Sequence, residues 1–206
     1  MSVDLAELVD ASSTVLVTQE CQNGVLGDRA VFPELAEVAR KQMIPNASRL
    51  AKAARAAGVP VIHCVVERRA DGAGSNTNAR LFAASRKAPV AFLPGTDAVQ
   101  VIPEIGLEDT DLVLTRLHGL GPMGGTELDP ILRNLGARTV VGVGVSLNVG
   151  MLSLVLDAVN AGYQFVLPRD AVAGVPEEYA EAVIEHTLSY VTTVVTTDDL
   201  LEAWSR

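Results

Sequence analysis

Apolar bursts recur along the chain at Thr14 (TVLVTQ), Val59 (VPVIHCVV), Asp111 (DLVLTR), Thr139 (TVVGVGV), Tyr163 (YQFVLP) and Val191 (VTTVVT), and their length and β-branched content predict six short strands. Between them the spacing changes to that of helices. Leu50, Ala53, Ala54 and Ala57 fall at i, i+3, i+4 and i+7, with Pro45 suited to the first turn and Gly58 to the stop. Met151, Leu154, Val155 and Ala158 repeat that spacing before Gly162, and Ala180, Val183, Ile184 and Leu188 repeat it again. Strand, helix, strand in this rhythm predicts right-handed crossovers onto a parallel sheet, helices on both faces, and a ligand site at the carboxyl ends of the central strands.

Composition narrows this picture without changing it. With 49% hydrophobic residues and only 4% aromatic ones, the core is expected to be Val, Leu and Ala, as in parallel strands buried on both faces. At 206 residues, with no Pro/Gly/Ser-rich divide, internal repeat or low-complexity segment, one α/β domain over residues 1–206 is expected. A net charge of -9 and a pI near 4.8, with no Lys/Arg cluster, argue against nucleic acid and anionic membrane as partners. No basic leader and no apolar run long enough to span a bilayer are visible, so a cytoplasmic location is expected. Cys21 and Cys64 sit in strand-like segments without ligand spacing, which makes a disulfide or a zinc site improbable.

The chemistry should lie just after the strands, in QECQNGVLGD, ERRADGAGSNTN, RLHGLGPMGGT and GVSLNVG. GVGVS is not a phosphate loop, since it lacks both the glycine spacing and a following Lys-Ser/Thr. GVSLNVGML, from Gly144 to Leu152, reads as the turn from a buried strand into a helix, where a nucleophile would be displayed with the helix N-terminus behind it. In that position stands Gly150, which has no side chain.

Glu20, Arg116 and Gly150 thus end the first, third and fourth strands. In this arrangement the chain resembles the isochorismatase-like (cysteine hydrolase) superfamily, in which an Asp in a D-x-Q pattern, a Lys, and a Cys closing a G-V-x-x-[DN]-x-C turn hold these places. ECQNG puts Glu20 at the Asp position, VLTRLHG puts Arg116 at the Lys position, and GVSLNVG puts Gly150 at the Cys position, so all three are substituted. The resemblance also covers AARAAGVPVIH, GTELDPILRNLGARTVVGVGV and DAVNAGYQFVLPRDAVAG. It implies a three-layer αβα, Rossmann-like six-stranded parallel sheet of order 3-2-1-4-5-6, a small-molecule substrate and a homodimer or homotetramer. It also implies a cis peptide between Val145 and Ser146.

In amide-cleaving members of that superfamily a thiolate attacks a carbonyl, which Gly150 cannot do. In isochorismatases proper the Cys position also lacks a nucleophile, and the carboxylic acid protonates the methylene of an enol ether before water attacks. The resemblance therefore implies cofactor-independent hydrolysis without a cysteine nucleophile, with a catalytically silent binding or interaction module as the alternative and a thiol amidase behind both.

Glu20 is then either the general acid/base or a structural carboxylate. Arg116 cannot shuttle protons and either fixes an anionic group or forms a structural salt bridge with Glu20. The loop from Arg116 to Thr126 is a residue longer than the family spacing, so His118 can share the role of Arg116. Gln22, His118, Ser146 and Asn148 are expected to contact substrate, as are Asn76 and Asn78. Strand alternation would place Cys21 opposite Glu20 as a small buried hydrophobe, and His63 next to Cys64 reads as a core histidine rather than half of a dyad. ERRADGAGSNTN contains no His, unlike the metal-binding loop of the nicotinamidases, so no metal is expected.

Overall fold

The computed structural model describes residues 4–205. In chain order the elements are α1 (Leu5–Leu8), β1 (Thr14–Gln19), α2 (Asn23–Leu26), α3 (Pro33–Lys41), α4 (Met43–Ala56), β2 (Val61–Val66), α5 (Arg80–Lys87), β3 (Leu112–Arg116), α6 (Leu128–Asn134) and β4 (Thr139–Val145). A π-turn over Leu147–Met151 leads into α7 (Leu152–Asn160), followed by β5 (Gln164–Pro168), β6 (Val172–Ala173), α8 (Glu177–His186), β7 (Thr193–Val195) and α9 (Thr197–Trp204).

All strand pairings are parallel and the main path is β3-β2-β1-β4-β5-β7, which is the expected order with β7 as the sixth strand. One strand was not foreseen. Along β4, the partner β5 reaches Thr139 to Val141, and the two-residue β6 then pairs with Gly144 and Val145. Two residues carry no periodicity, so β6 has no signature in the sequence.

β1 and β4 are buried along their whole length, whereas of β3, at the sheet edge, only Arg116 is buried. One face of the sheet packs against Leu35 of α3, Met43, Leu50 and Ala54 of α4, and Leu200 of α9. The other packs against Leu132 of α6, Leu154 and Val155 of α7, and Val183 and Ile184 of α8. The stripe from Met151 to Ala158 is buried throughout. In α4 the buried stripe is Ala47, Leu50, Ala51 and Ala54, while Ala53 and Ala57 are half-buried, and Gly58 ends the helix at φ 77°.

A buried polar relay crosses β1, β2 and the entry to β3. Thr18 Oγ1 lies 2.8 Å from His63 Nδ1, and His63 Nε2 lies 3.3 Å from Asp111 Oδ2. A neutral ring accepting from Thr18 and donating from Nε2 to Asp111 satisfies all three groups. Asp111 also accepts two bonds from Arg55, at 3.1 and 2.7 Å, and one from the Glu108 amide at 2.9 Å. Burial lowers the His63 pKa, outweighing the pull of Asp111 in the other direction. At Asp111 burial acts upward, and the Arg55, Glu108 and His63 hydrogen bonds together bring the carboxyl below its ordinary value. His63 is therefore a satisfied core histidine.

Because the folded state holds His63 neutral below its unfolded pKa, the unfolded state binds more protons there and stability falls as pH falls. Unfolding free energy should be flat with respect to this group above about pH 6.5 and decline below it by up to about 1.4 kcal/mol per pH unit. Denaturant titrations of wild type and His63→Gln between pH 8 and 5 check this, with the variant showing a shallower decline. The Asp111 contribution is lost in a separate window, below the ordinary carboxylate range.

Candidate active site

At the carboxyl ends of β1 to β4 opens a cavity of about 300 Å³, and Glu20, Arg116, Ser146, Asn148 and Gly150 all lie on its wall. Glu20 is placed there by its backbone. Its N–H continues the ladder by donating to Cys64 O at 2.8 Å, and the chain then turns through the left-handed region at φ 53°. For a residue with a Cβ that conformation costs about 1–2 kcal/mol, which the surrounding contacts must offset. The strand has ended at Gln19, so simple alternation does not decide the side chains beyond it. The turn leaves the Glu20 side chain partly open to the cavity and Cys21 buried in the core.

Arg116 brings its guanidinium across two strands to meet Glu20. Its Nη2 donates to Glu20 Oε1 and, at 3.1 Å, to Leu120 O. The pairing is single-pronged rather than bidentate. Glu20 Oε2 has no hydrogen bond to a described residue, and Arg116 Nε and Nη1 are buried without any partner. Together these two nitrogens carry three N–H bonds without a partner, and a buried polar group left so costs about 1–3 kcal/mol.

Gly150 lies in the π-turn, where Met151 N donates to Ser146 O at 3.0 Å, and the peptide between Val145 and Ser146 is cis. A Cβ on Gly150 would stand 2.9 Å from Gln19 Nε2, 3.2 Å from Leu120 O and 3.4 Å from Val145 O. The place of a nucleophile side chain is thus narrowed by Gln19, which is fully buried, reaches Leu120 O at 3.4 Å and leaves its Oε1 unpartnered. Sequence reasoning passed over Gln19; a polar residue in an otherwise buried strand was the available signal.

Several expected substrate contacts serve the frame instead. Gln22 is fully buried, with Nε2 on Val66 O (2.9 Å) and Ala98 O (3.0 Å) and Oε1 accepting from Val66 N (2.7 Å). Its amide is spent tying the exit of β1 to the end of β2, so the expectation of a substrate contact is corrected. His118 is likewise corrected: it is exposed, lies off the cavity wall and stands against Gly125, while Gly119 and Leu120 of the same loop reach the wall. Asn76 accepts from Gly119 N at 2.8 Å and donates to Asn78 at 3.1 Å, bracing that loop from outside the wall. On the wall itself, Ser146 donates to Asn148 Oδ1 at 2.6 Å and Asn148 donates to Val175 O at 3.2 Å.

Neither thiol is a nucleophile in reserve. Burial, with the Glu20 charge adding to it, pushes Cys21 up to about 12, and burial pushes Cys64 up to about 12 against the pull of Arg116. Among the described residues no three His, Cys, Asp or Glu side chains gather in a group able to hold a metal ion.

The chain matches the isochorismatase domain model over residues 14–199. It is 27% identical over 197 residues to an uncharacterized isochorismatase family protein of Bacillus subtilis, YwoC, covering 94% of this chain and 95% of that relative. Among solved structures it resembles an isochorismatase family protein from Burkholderia thailandensis, with TM-score 0.78, 25% identity and 95% and 97% of the two chains covered. An N-carbamoylsarcosine amidase from Thermoplasma acidophilum superposes with TM-score 0.72 at 25% identity, covering 90% and 97%.

Two outcomes are expected from this geometry. Cys21 and Cys64 should stay silent to a thiol reagent in native protein at pH 8 and both react once the chain is unfolded. Gly150→Cys should lower unfolding free energy by about 1–3 kcal/mol through overpacking, and adding Gln19→Ala should recover part of that loss in a double-mutant cycle.

Proposed function

The chain belongs to the isochorismatase domain family, and from that premise we propose that it hydrolyses a small carboxylate-bearing substrate without a cysteine nucleophile. One observation carries this reading: Glu20 and Arg116 meet on the wall of one open cavity. The always-charged guanidinium of Arg116 supplies the positive charge that favours a carboxylate-bearing substrate at this wall. Glu20, held beside it, is the acid.

The reaction that best fits these parts is enol-ether hydrolysis of the isochorismate type. The carboxyl of Glu20 gives its proton to the methylene carbon, and the double bond's electrons form that C–H bond, leaving an oxocarbenium carbon. Water adds to that carbon and returns a proton to Glu20. The resulting hemiketal collapses, breaking the ether C–O bond and releasing pyruvate and an alcohol. Gly150, on the cavity wall, presents no side chain to the substrate. A thiol amidase is disfavoured, since position 150 has no side chain and both cysteines are buried and held protonated.

A second reading has its own observation. The Glu20–Arg116 ion pair is already formed, as it would be in a silent member of the family that binds a ligand or a second copy without turning it over. With the leading reading go the absence of a cofactor, assembly as a homodimer or homotetramer, and a cytoplasmic location. No helix among the described residues is long and apolar enough to cross a membrane.

Purified protein assayed with isochorismate and a panel of small amides, beside Glu20→Gln, separates these readings. Glu20→Gln should cost about 10²–10⁴ in kcat, the usual worth of a positioned general acid. Arg116→Lys keeps the charge but loses the planar guanidinium, and should act mainly on KM. Turnover untouched by Glu20→Gln removes the assigned role, and ligand binding without turnover on any panel member selects the silent module.

A further inference from the structure

Four charged side chains reach the cavity wall: Glu20, Arg116, Glu34 and Arg68. Glu20 and Arg116 are engaged with one another. Glu34 is exposed, so water solvates it. Arg68 is the odd member. It is half-buried, and no carboxylate of a described residue lies within ion-pair distance of it, whereas the next residue, Arg69, grips Asp71 with Nε at 3.0 Å and Nη2 at 2.7 Å. A cation taken out of water without a counter-charge is unfavourable. Burial accordingly holds the Arg68 pKa below its ordinary value; repulsion from Arg86 adds to that, and the Glu20 charge opposes it.

The fold keeps this cation in place. β2 lies between the strands that lead to Glu20 and Arg116, and Arg68 follows it by two residues, so all three side chains rise from neighbouring strand exits. The Arg68 main-chain N–H donates to Phe92 O at 2.7 Å, and the guanidinium stacks over the Phe92 ring at 5.6 Å from its centre. Phe92, with Phe32 and Phe82, supplies the aromatic part of the wall.

Stacking occupies a face of the guanidinium and leaves its edges open. One edge consists of Nε–H and a hydrogen of Nη2, the other of the second Nη2 hydrogen and one of Nη1. Arg68 Nη2 donates to Ser85 Oγ at 2.8 Å, which uses a hydrogen of one edge and leaves the other edge complete. Nε and Nη1 make no hydrogen bond to a described residue, and in contrast to those of Arg116 they are not sealed from solvent. Ser85, buried on the same wall, thereby fixes the rotation of the guanidinium.

Resting on the hydrolase reading of this site, we propose that Arg68 is the seat of the substrate's carboxylate and so the residue that sets the preference for an anionic substrate. The carboxylate lies along the open edge of the guanidinium in two parallel hydrogen bonds, with Ser85 as the positioning residue behind it. Arg116 stays with Glu20, so binding and chemistry are divided between two arginines. A cavity of about 300 Å³ holds a small molecule that is anchored at Arg68 and reaches Glu20.

Titration calorimetry of the intact protein at pH 7 with benzoate and benzamide tests this, since the two inert probes share a shape and differ in charge. Benzoate should bind roughly tenfold to hundredfold tighter, as expected for hydrogen bonds to a charged group. Arg68→Gln should remove that difference while leaving benzamide affinity unchanged, and Arg68→Lys, which keeps the charge but not the edge, should restore part of it. Ser85→Ala leaves the cation present but frees its rotation, and should weaken benzoate by about threefold to tenfold without an effect on benzamide. Melting curves confirm that the variants fold.

Benzoate binding no tighter than benzamide, binding of neither, or a preference for benzoate that survives Arg68→Gln overturns the proposal. The last of these places the anion elsewhere on the protein. Because neither probe reacts, the hydrolase reading stands or fails separately. Arg68-dependent benzoate binding with no turnover of isochorismate or any amide sinks that reading and leaves the anion seat supported. Glu20-dependent turnover whose KM is unmoved by Arg68→Gln does the reverse.

Discussion

The single-pronged ion pair between Arg116 and Glu20 is the interaction around which the working end of this protein is arranged. The two residues end strands that are not neighbours, because β2 lies between β1 and β3. A guanidinium with only 4% of its side chain exposed is costly to bury unless it is paired. Meeting that requirement holds Glu20 in its left-handed turn and draws the Leu120 carbonyl inward, so the exit of β1 and the loop after β3 close over the ends of the sheet together. The same requirement is met only in part. Nη2 is satisfied and the other two nitrogens are not.

The polar residues around the cavity follow one division of labour. Gln22 has every polar atom of its amide engaged by backbone, Asn76 holds the Gly119 amide, and Ser146 and Asn148 brace one another against Val175. These groups build the rim. The polar atoms left over are Glu20 Oε2, which has no hydrogen bond to a described residue, and the buried Arg116 Nε and Nη1 and Gln19 Oε1. A buried polar atom without a partner is unfavourable, and so it is more informative about function than a polar residue well supplied with hydrogen bonds. The fully satisfied relay of Thr18, His63, Asp111 and Arg55 is the contrast: it has the members of a hydrolytic triad, lies buried and contributes to the fold.

The Thermoplasma acidophilum amidase and this chain superpose with TM-score 0.72, and a shared backbone leaves the chemistry to the residues at the site. In this chain the turn after β4 runs through a cis peptide and a π-turn that contains Gly150. The long amide of Gln19 stands against the Cβ position of Gly150 from the neighbouring strand, so the absence of a side chain there and the crowding of its site belong together.

The six principal strands, the faces of α7 and α8 and most of that of α4, and the arrival of Glu20, Arg116 and Gly150 at one end of the sheet were legible from the sequence. Each depends on local rules: β-branched runs, apolar spacing of 3.6, glycine stops, and the tendency of parallel sheets to place function after the strands. The two-residue β6, the exposure of His118 and the consumption of the Gln22 amide were not legible, nor was the gathering of Phe32, Phe82 and Phe92 on one wall. These are facts about which atoms find partners across the fold, as Gln22 does with Val66. Sequence by itself determined that Glu20, Arg116 and Gly150 reach one end of the sheet. Only the tertiary structure decided which of their atoms remain free to act there, because hydrogen bonds are satisfied in space and not along the chain.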